Sequence, residues 1–295
     1  MAFHQPVMTR EVLAFLEPEK GGVFVDCTVG LGGHTLAMLE AGATRVIGLD
    51  RDPAALALAA QALGAFGDRV ELVHSDYRAI ESVLEERGIR TIDGALADLG
   101  MSSFQLDAEG RGFSFQREDP LDMRMDQTTG ATAADLLKEA SETEIADAIY
   151  QFGEERFSRR IARSIVQMRQ SAPIRTTGQL ATIVRHAIPR RGFTRIDPAT
   201  RTFQALRIWV NRELDGLDEF LAAAARRLRT GARMVVMTFH SLEDRIVKHT
   251  LRALAQGGDA RVHVLTKKPV IPQPDEVEKN PRARSAKLRA AERVA

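Results

Sequence analysis

Four aspartates and a glycine cluster mark where this chain can do chemistry. Asp26-Cys27-Thr28-Val29-Gly30-Leu31-Gly32 puts an acid, then three residues, ahead of a glycine that repeats two positions later. Glycines so spaced let a turn of backbone come close to a ligand with no Cβ in the way. Asp50, Asp76 and Asp98 end or follow three further apolar runs. At the carboxyl edge of a parallel sheet such acids face a bound nucleotide, and one after the second strand can accept both hydroxyls of a ribose. A dinucleotide site would need G-x-G-x-x-G, whose third glycine falls here on Thr35. That spacing counts against a nicotinamide cofactor and hydride transfer. Each acid taken singly can also serve as a helix N-cap, but their recurrence at successive strand ends argues for a ligand.

The elements that must hold these residues alternate. Segments 23–27, 45–50, 69–74 and 92–99 read as strands, with helices between them over 34–40, 53–63 and 77–87. Pro53 opens one of these helices, where proline is tolerated. The rhythm implies a parallel sheet with right-handed crossovers. It stops at 107–130, a polar, glycine-bearing stretch expected to be a long loop. Capping patterns then stand at Thr132 (TAAD) and Ser141 (SETE), followed by helical stretches over 154–169, 177–188 and 198–228. The next strand is expected at 233–239, then a helix over 241–255, a short strand over 261–265 and a basic, proline-bearing tail from 266. A crossover needs only about a dozen residues, so the far longer gap before the fifth strand implies an inserted helical domain. The expected class is α/β, a Rossmann-like sheet in two parts, 1–104 and 211–295, interrupted by an all-helical insertion over 105–210.

Composition sets the outer bounds. The 295 residues are 44% hydrophobic and 27% charged, ordinary for a soluble globular protein. Cys27 is the single cysteine, which rules out an intrachain disulfide and a CxxC site and fits a reducing, cytoplasmic setting. The first dozen residues lack the pattern of a signal peptide, and nowhere do about 18 apolar residues run together as a membrane span requires. The net charge of +1 hides an asymmetry: residues 151–212 hold 13 arginines, no lysine and three acids. That stretch carries about ten positive charges in excess, and the remainder about nine negative. One basic region in an acidic protein points to a polyanionic partner, and forked guanidinium groups suit phosphates better than solvation alone requires.

The acid-x-x-x-G-x-G pattern resembles the first motif of S-adenosylmethionine-dependent methyltransferases, and Asp76-Tyr77 stands where such enzymes place groups that hold the adenine. More specific are long irregular segments: HQPVM (4–8), GLGGH (30–34), LDRDP (49–53), DLGMSSFQLD (98–107), RGFSF (111–115) and PLDMRMD (120–126). GEERFSRRIARSIV (153–166), ATRTFQALRIWVN (199–211), FHSLEDRIVK (239–248) and NPRARSAKLRAAER (280–293) continue the set. Together they resemble the bacterial small-subunit rRNA cytosine-N4 methyltransferases, the family of ribosomal RNA small subunit methyltransferase H, formerly called MraW. The resemblance implies S-adenosyl-L-methionine as donor and N4 of a cytidine in the decoding (P-site) region of 16S rRNA, within the small ribosomal subunit, as acceptor. It implies cofactor contacts from Gly32, Gly33, His34, Asp50, Tyr77, Asp98 and Gln105.

Cytosine N4 is a poor nucleophile because its lone pair is conjugated with the ring, so acceptors for its N–H groups must free that pair. Asp98, with Ser102 and Ser103, is expected to supply them, and His240 is expected either to take the released proton or to fix its loop by hydrogen bonds. Leu99-Gly100-Met101 replaces the Pro-Pro-aromatic that often follows this acid in amino-methylating enzymes. A stacking partner for the base would then come from Phe104, Phe113, Phe115, Trp209 or Phe239, each of which can equally be a core residue. Arg156, Arg159, Arg160 and Arg163 fall at helical spacing and are expected to contact RNA phosphates. No metal is expected, no membrane partner, and a monomer or homodimer. The alternative reading is a non-catalytic rRNA-binding assembly factor with a vestigial cofactor site.

Overall fold

A computed structural model describes residues 6–189, 197–258 and 260–294, apart from the side chain of Ser103. His4 and Gln5, and Arg190, Arg191 and Arg195 of the basic stretch, lie outside the described residues. The chain forms two compact units, one from Met1–Ser102 with Gly216–Ala295 and the other from Ser103–Asp215. The divisions read from sequence fall at 104/105 and 210/211.

The first unit begins with α1 (Thr9–Leu16) and then alternates β1 (Val23–Asp26), α2 (Gly33–Ala41), β2 (Arg45–Asp50), α3 (Pro53–Leu63), β3 (Val70–His74), α4 (Ile80–Glu86) and β4 (Ile92–Asp98). The second unit supplies α5 (Ser103–Asp107), α6 (Ala133–Glu139), α7 (Glu142–Gly153), α8 (Ser158–Ser171), α9 (Thr177–Ala187) and α10 (Ala199–Asn211). The chain then returns to the first unit through α11 (Leu217–Arg227), β5 (Leu228–Thr238), α12 (Ser241–Gln256), β6 (Val262–Val264), α13 (Pro274–Lys279) and β7 (Lys287–Arg293). Among the described residues no helix is long and apolar enough to cross a membrane.

The seven strands lie in the order β3-β2-β1-β4-β5-β7-β6, with β1 to β5 parallel and β7 antiparallel to both of its neighbours. Successive side chains of a strand point to opposite faces, and both faces here are apolar. Val25, Ile47, Leu49, Ala95 and Val236 pack with α4, α11 and α12, while Phe24, Val46, Leu96, Val235 and Leu288 pack with α1, α2 and α3. This is the doubly wound, Rossmann-like sheet expected from the βα rhythm. Strand order reverses between β1 and β4, which makes their carboxyl ends the switch point where such sheets bind ligands.

Three sequence expectations need correction. The basic tail is not a tail: 287–293 is β7, a strand inside the sheet between β5 and β6. Alternation of Leu288 and Ala290 suits a sheet face, and Arg289 is tolerated there because Asp244 takes its guanidinium at 2.7 and 3.2 Å. The helix expected over 198–228 is two helices, because Arg212 turns left-handed at φ 51 and Gly216 at φ 64. β5 starts at Leu228, five residues before the expected strand, with a register irregularity opposite Ile92 and Gly94.

In the second unit, both capping patterns close as reciprocal boxes. The Thr132 and Ser141 hydroxyls accept from the backbone N–H of Asp135 and Glu144, whose carboxylates accept in return. The stretch expected as a loop is irregular yet firmly built, with Leu121, Met123 and Met125 buried. Asn211 holds it: its Oδ1 accepts from Met125 N–H at 2.7 Å, and its Nδ2 donates to the carbonyls of Met123 at 2.7 Å and Arg207 at 2.9 Å. Asn211→Ala leaves buried backbone groups unpaired and should cost about 2–4 kcal/mol. Urea unfolding followed by the fluorescence of Trp209, two residues away on α10, checks this; an unchanged midpoint would show that the clamp is dispensable.

Candidate active site

Backbone hydrogen bonds stitch the turn after β1 to its neighbours. Asp98 N–H donates to the Thr28 hydroxyl at 2.6 Å, Val29 N–H to the Leu49 carbonyl at 3.0 Å, and Gly30 N–H to Asp50 Oδ2 at 2.7 Å. Gly30 and Gly32 have φ 54 and 86, the left-handed region that costs other residues about 1–2 kcal/mol. A Cβ on Gly32 would also lie 3.0 Å from Leu63 Cδ1, and one on Gly33 3.1 Å from the Pro6 ring.

The acid that opens the glycine motif faces inward. Asp26 is fully buried, accepting the Thr35 hydroxyl at 2.7 Å and Thr28 N–H at 3.2 Å. Burial pushes its carboxyl up, against the opposing hydrogen bond from Thr35. These bonds hold the first turn of α2 against β1 and so position the glycines. Cys27 is buried too, and desolvation raises its thiol far from any nucleophilic range.

Asp50, ending β2, accepts from Gly30 N–H and, through Oδ1, from Asp52 N–H at 2.9 Å. Desolvation pushes its carboxyl up to about 6, and the negative charges of Asp52 and Asp26 add to the effect. Asp52 itself caps α3, accepting from Ala54 N–H at 3.1 Å. Asp76 is committed elsewhere: Arg78 binds it through Nε and Nη2 at 2.7 Å each and through its backbone N–H at 3.0 Å. Burial raises the Asp76 carboxyl, but these bonds outweigh it and hold the group low. Tyr77 lies against Phe220 with ring centroids 4.6 Å apart and planes tilted by 53°.

His34, on the first turn of α2, is buried, with neither ring nitrogen hydrogen-bonded among the described residues. Its Nε2 stands 3.7 Å from Asp98 Oδ2, an electrostatic contact beyond hydrogen-bond reach, and Asp98 Oδ1 is likewise buried and unbonded. Two adjacent polar groups without partners are costly in a protein interior, which makes them the strongest sign that a ligand completes this site. The Asp98–Gly100 turn is shaped by Phe239, since a Cβ on Gly100 would fall 2.6 Å from two carbons of that ring. An aromatic thus reaches the turn from the end of β5, where the sequence pattern lacks one. Ser102 is half-buried, and a Cβ on Gly30 would lie 3.7 Å from its Cβ. The Ser103 side chain lies outside the described residues, and Gln105 sits on α5 of the second unit.

His240 is the N-cap of α12. Its Nδ1 accepts from Glu243 N–H at 3.5 Å, and its Nε2 lies 3.0 Å from Glu243 Oε1 without a hydrogen bond. One ring nitrogen thus serves as a helix cap, while the other faces a carboxylate. Of the other aromatic candidates, Phe113 is buried and Phe115 packs edge-on to Phe203 at 4.9 Å, both within the second unit.

Among the arginines, Arg156 precedes α8 rather than riding on it, and its guanidinium lies 4.8 Å over the Phe157 ring. Arg159, Arg160 and Arg163 are exposed on α8 itself, with Arg163 3.6 Å from Glu142. Arg185 is tied to Asp197 and Arg207 to Glu213, so the positive excess is partly engaged in internal pairs.

The cofactor implied by the fold and motifs is S-adenosylmethionine, and the residues fit it. Gly30 and Gly32 form a Cβ-free cradle, the Asp50 carboxylate suits ribose hydroxyls, and His34 with Asp98 offers unbonded polar atoms beside the cradle. Residues 1–294 match the model of the MraW methylase family. The chain is 53% identical over 292 residues to the Ribosomal RNA small subunit methyltransferase H of Sorangium cellulosum, covering 99% of this chain and 91% of that protein. The protein of the same name from Geotalea uraniireducens is 48% identical over 307 residues, covering 99% and 98%. That from Synechococcus elongatus is 50% identical over 293 residues, covering 99% and 95%.

To accept both hydroxyls of a ribose Asp50 must be ionised, so ribose binding there below the pKa of about 6 would first expel a proton. S-Adenosylhomocysteine affinity should be level above about pH 7 and fall by up to tenfold per unit below about pH 6. Calorimetric titration across this range checks the expectation, and Asp50→Asn should bind weakly at every pH with the step gone.

Proposed function

Since this chain belongs to the MraW methylase family, we propose that it transfers a methyl group from S-adenosylmethionine to the exocyclic N4 of a cytidine in the decoding region of 16S rRNA. The observation that carries the reading is the unbonded pair His34 and Asp98 at the sheet's switch point, next to the glycine cradle. The names of the relatives support rRNA of the small subunit as the acceptor class.

Bound there, S-adenosylmethionine supplies an electrophilic methyl carbon on a sulfonium. The protein's task is to aim cytosine N4 along the S–C axis at about 3–3.5 Å. Asp98 Oδ1 has the free capacity to accept from the amino group, which draws N4 toward a tetrahedral shape and releases its lone pair from the ring. The hydrogen bond from its own N–H to Thr28 fixes the Asp98 backbone while it does so. Ser102, and Ser103 beside it, assist as further acceptors. Methyl transfer leaves N4 positively charged and strongly acidic, so its proton passes to water without a dedicated base. The target base must leave any stack to reach such a site, at a cost of a few kcal/mol. The helical second unit is the substrate-recognising part, with Arg156, Arg159, Arg160 and Arg163 contacting phosphates.

Two measurements test this. With labelled S-adenosylmethionine and small ribosomal subunits from cells lacking this protein, nucleoside mass analysis should find N4-methylcytidine. Turnover should drop by about 10²–10³ in Asp98→Ala. Cofactor binding without any labelled nucleoside would favour the assembly-factor reading, and full turnover in Asp98→Ala would remove that residue from the chemistry. Reversing two exposed charges, Arg159→Glu with Arg160→Glu, should lower the salt dependence of RNA binding by at least about 1.4 in logarithmic slope. An unchanged slope would mean that these arginines touch no phosphate.

A further inference from the structure

The chain has 16 aromatic residues, yet among the described residues the large apolar side chains left strongly exposed are Tyr150, Met168, Ile271 and Val294. Tyr150, 62% exposed, is the aromatic one. It lies on α7, whose buried stripe is Ile145, Ala146, Ala148 and Ile149, so it belongs to the helix's solvent-facing side.

Its neighbours are set by the helix packing. Four residues join α7 to α8, a connection short enough to make the two helices antiparallel. The Arg163–Glu142 contact pins the start of α7 to the second turn of α8, so the C-terminal turn of α7 lies level with the first residues of α8. Tyr150 stands on the last turn of α7, the end from which the short connection leads through Arg156 to Arg159 on the first turn of α8. From the other side, α10 sends Arg201 to donate to the Glu154 carbonyl at 3.1 Å, one turn beyond Tyr150, and Gln204 to donate to the Phe152 carbonyl at 3.1 Å. Asp147 and Glu154 stand a turn either side of Tyr150 along the chain, so the positive charge comes from α8, α10 and the turn before α8.

We propose that Tyr150 is a base-stacking platform for single-stranded RNA, with Arg156, Arg159 and Arg201 holding the phosphates on either side. The inference rests on the RNA-binding reading above and names the contact that reading lacks. An exposed ring presents a π-face on which any base can stack, and arginines beside it pair with the flanking phosphates and stack in turn. The occupant is a single strand, because the bases of a duplex have no free face to offer. The ring acts as an anchor; it selects unpaired RNA without reading sequence.

The test compares wild type, Tyr150→Ala and Tyr150→Trp in binding a short oligocytidylate, single-stranded or paired with its complement. Tyr150→Ala should weaken single-strand binding about tenfold, with the salt slope, duplex binding and S-adenosylhomocysteine affinity unchanged. Tyr150→Trp should bind like wild type and lose emission as RNA is added, beyond any change that Trp209 gives in the wild type. Two results would overturn the platform and leave the ring to a protein partner. One is equal single-strand affinity in wild type and Tyr150→Ala; the other is a Tyr150→Trp variant whose emission responds to bound RNA no more than wild type does. Should wild type bind neither strand, the RNA-binding reading would fall together with this one.

Discussion

One side-chain hydrogen bond adds to the backbone pairing of β1 and β4 where it matters most. Asp98 N–H reaches the Thr28 hydroxyl at 2.6 Å across the point where strand order reverses. It ties the glycine turn after β1 to the end of β4, and thereby fixes the distance between a cofactor cradle and the carboxylate assigned to the acceptor. Buried Asp26 supports it from beneath, taking Thr28 N–H and the Thr35 hydroxyl. Such a bond contributes only about 1 kcal/mol to stability. Its value here is positional, since misplacing a reacting group by an ångström can cost a hundredfold in rate.

The same turn collects costs that the rest of the fold offsets. A carboxyl pushed up to about 6 at Asp50 and unbonded polar atoms at His34 and Asp98 are both unfavourable. Two apolar faces on one sheet, packed by helices on both sides, supply the opposing stabilisation. Polar cost gathered at one end of a sheet and offset by its core is the arrangement expected of a binding site.

The second unit solves a different problem. Its stretch 151–212 holds 13 arginines against three acids, yet several of these arginines serve internally: Arg185 with Asp197, Arg207 with Glu213, Arg169 with the Ala140 carbonyl. What remains exposed on α8 is a smaller set than the count of 13 suggests. Charge counted along a chain measures capacity for a polyanion; which guanidinium groups face outward depends on packing.

Much of this is legible in the residues alone. The βα rhythm, the capping boxes at Thr132 and Ser141 and the glycine spacing are local signals, carried by neighbours in the chain, and the fold shows all three. Segment 287–293 reads as a tail because its basic composition outweighs a short alternation, and nothing local announces a strand that pairs with β5 about 50 residues earlier. Asn211 and Phe239 are beyond sequence for the same reason: one clamps a loop 86 residues away, the other fills the space over Gly100. Sequence by itself determined the sheet class, the cradle and the acids available to a ligand. Only the tertiary structure decided which acids are free to meet one, because Asp26 and Asp76 are engaged by Thr35 and Arg78 while Asp98 is left with an unbonded oxygen.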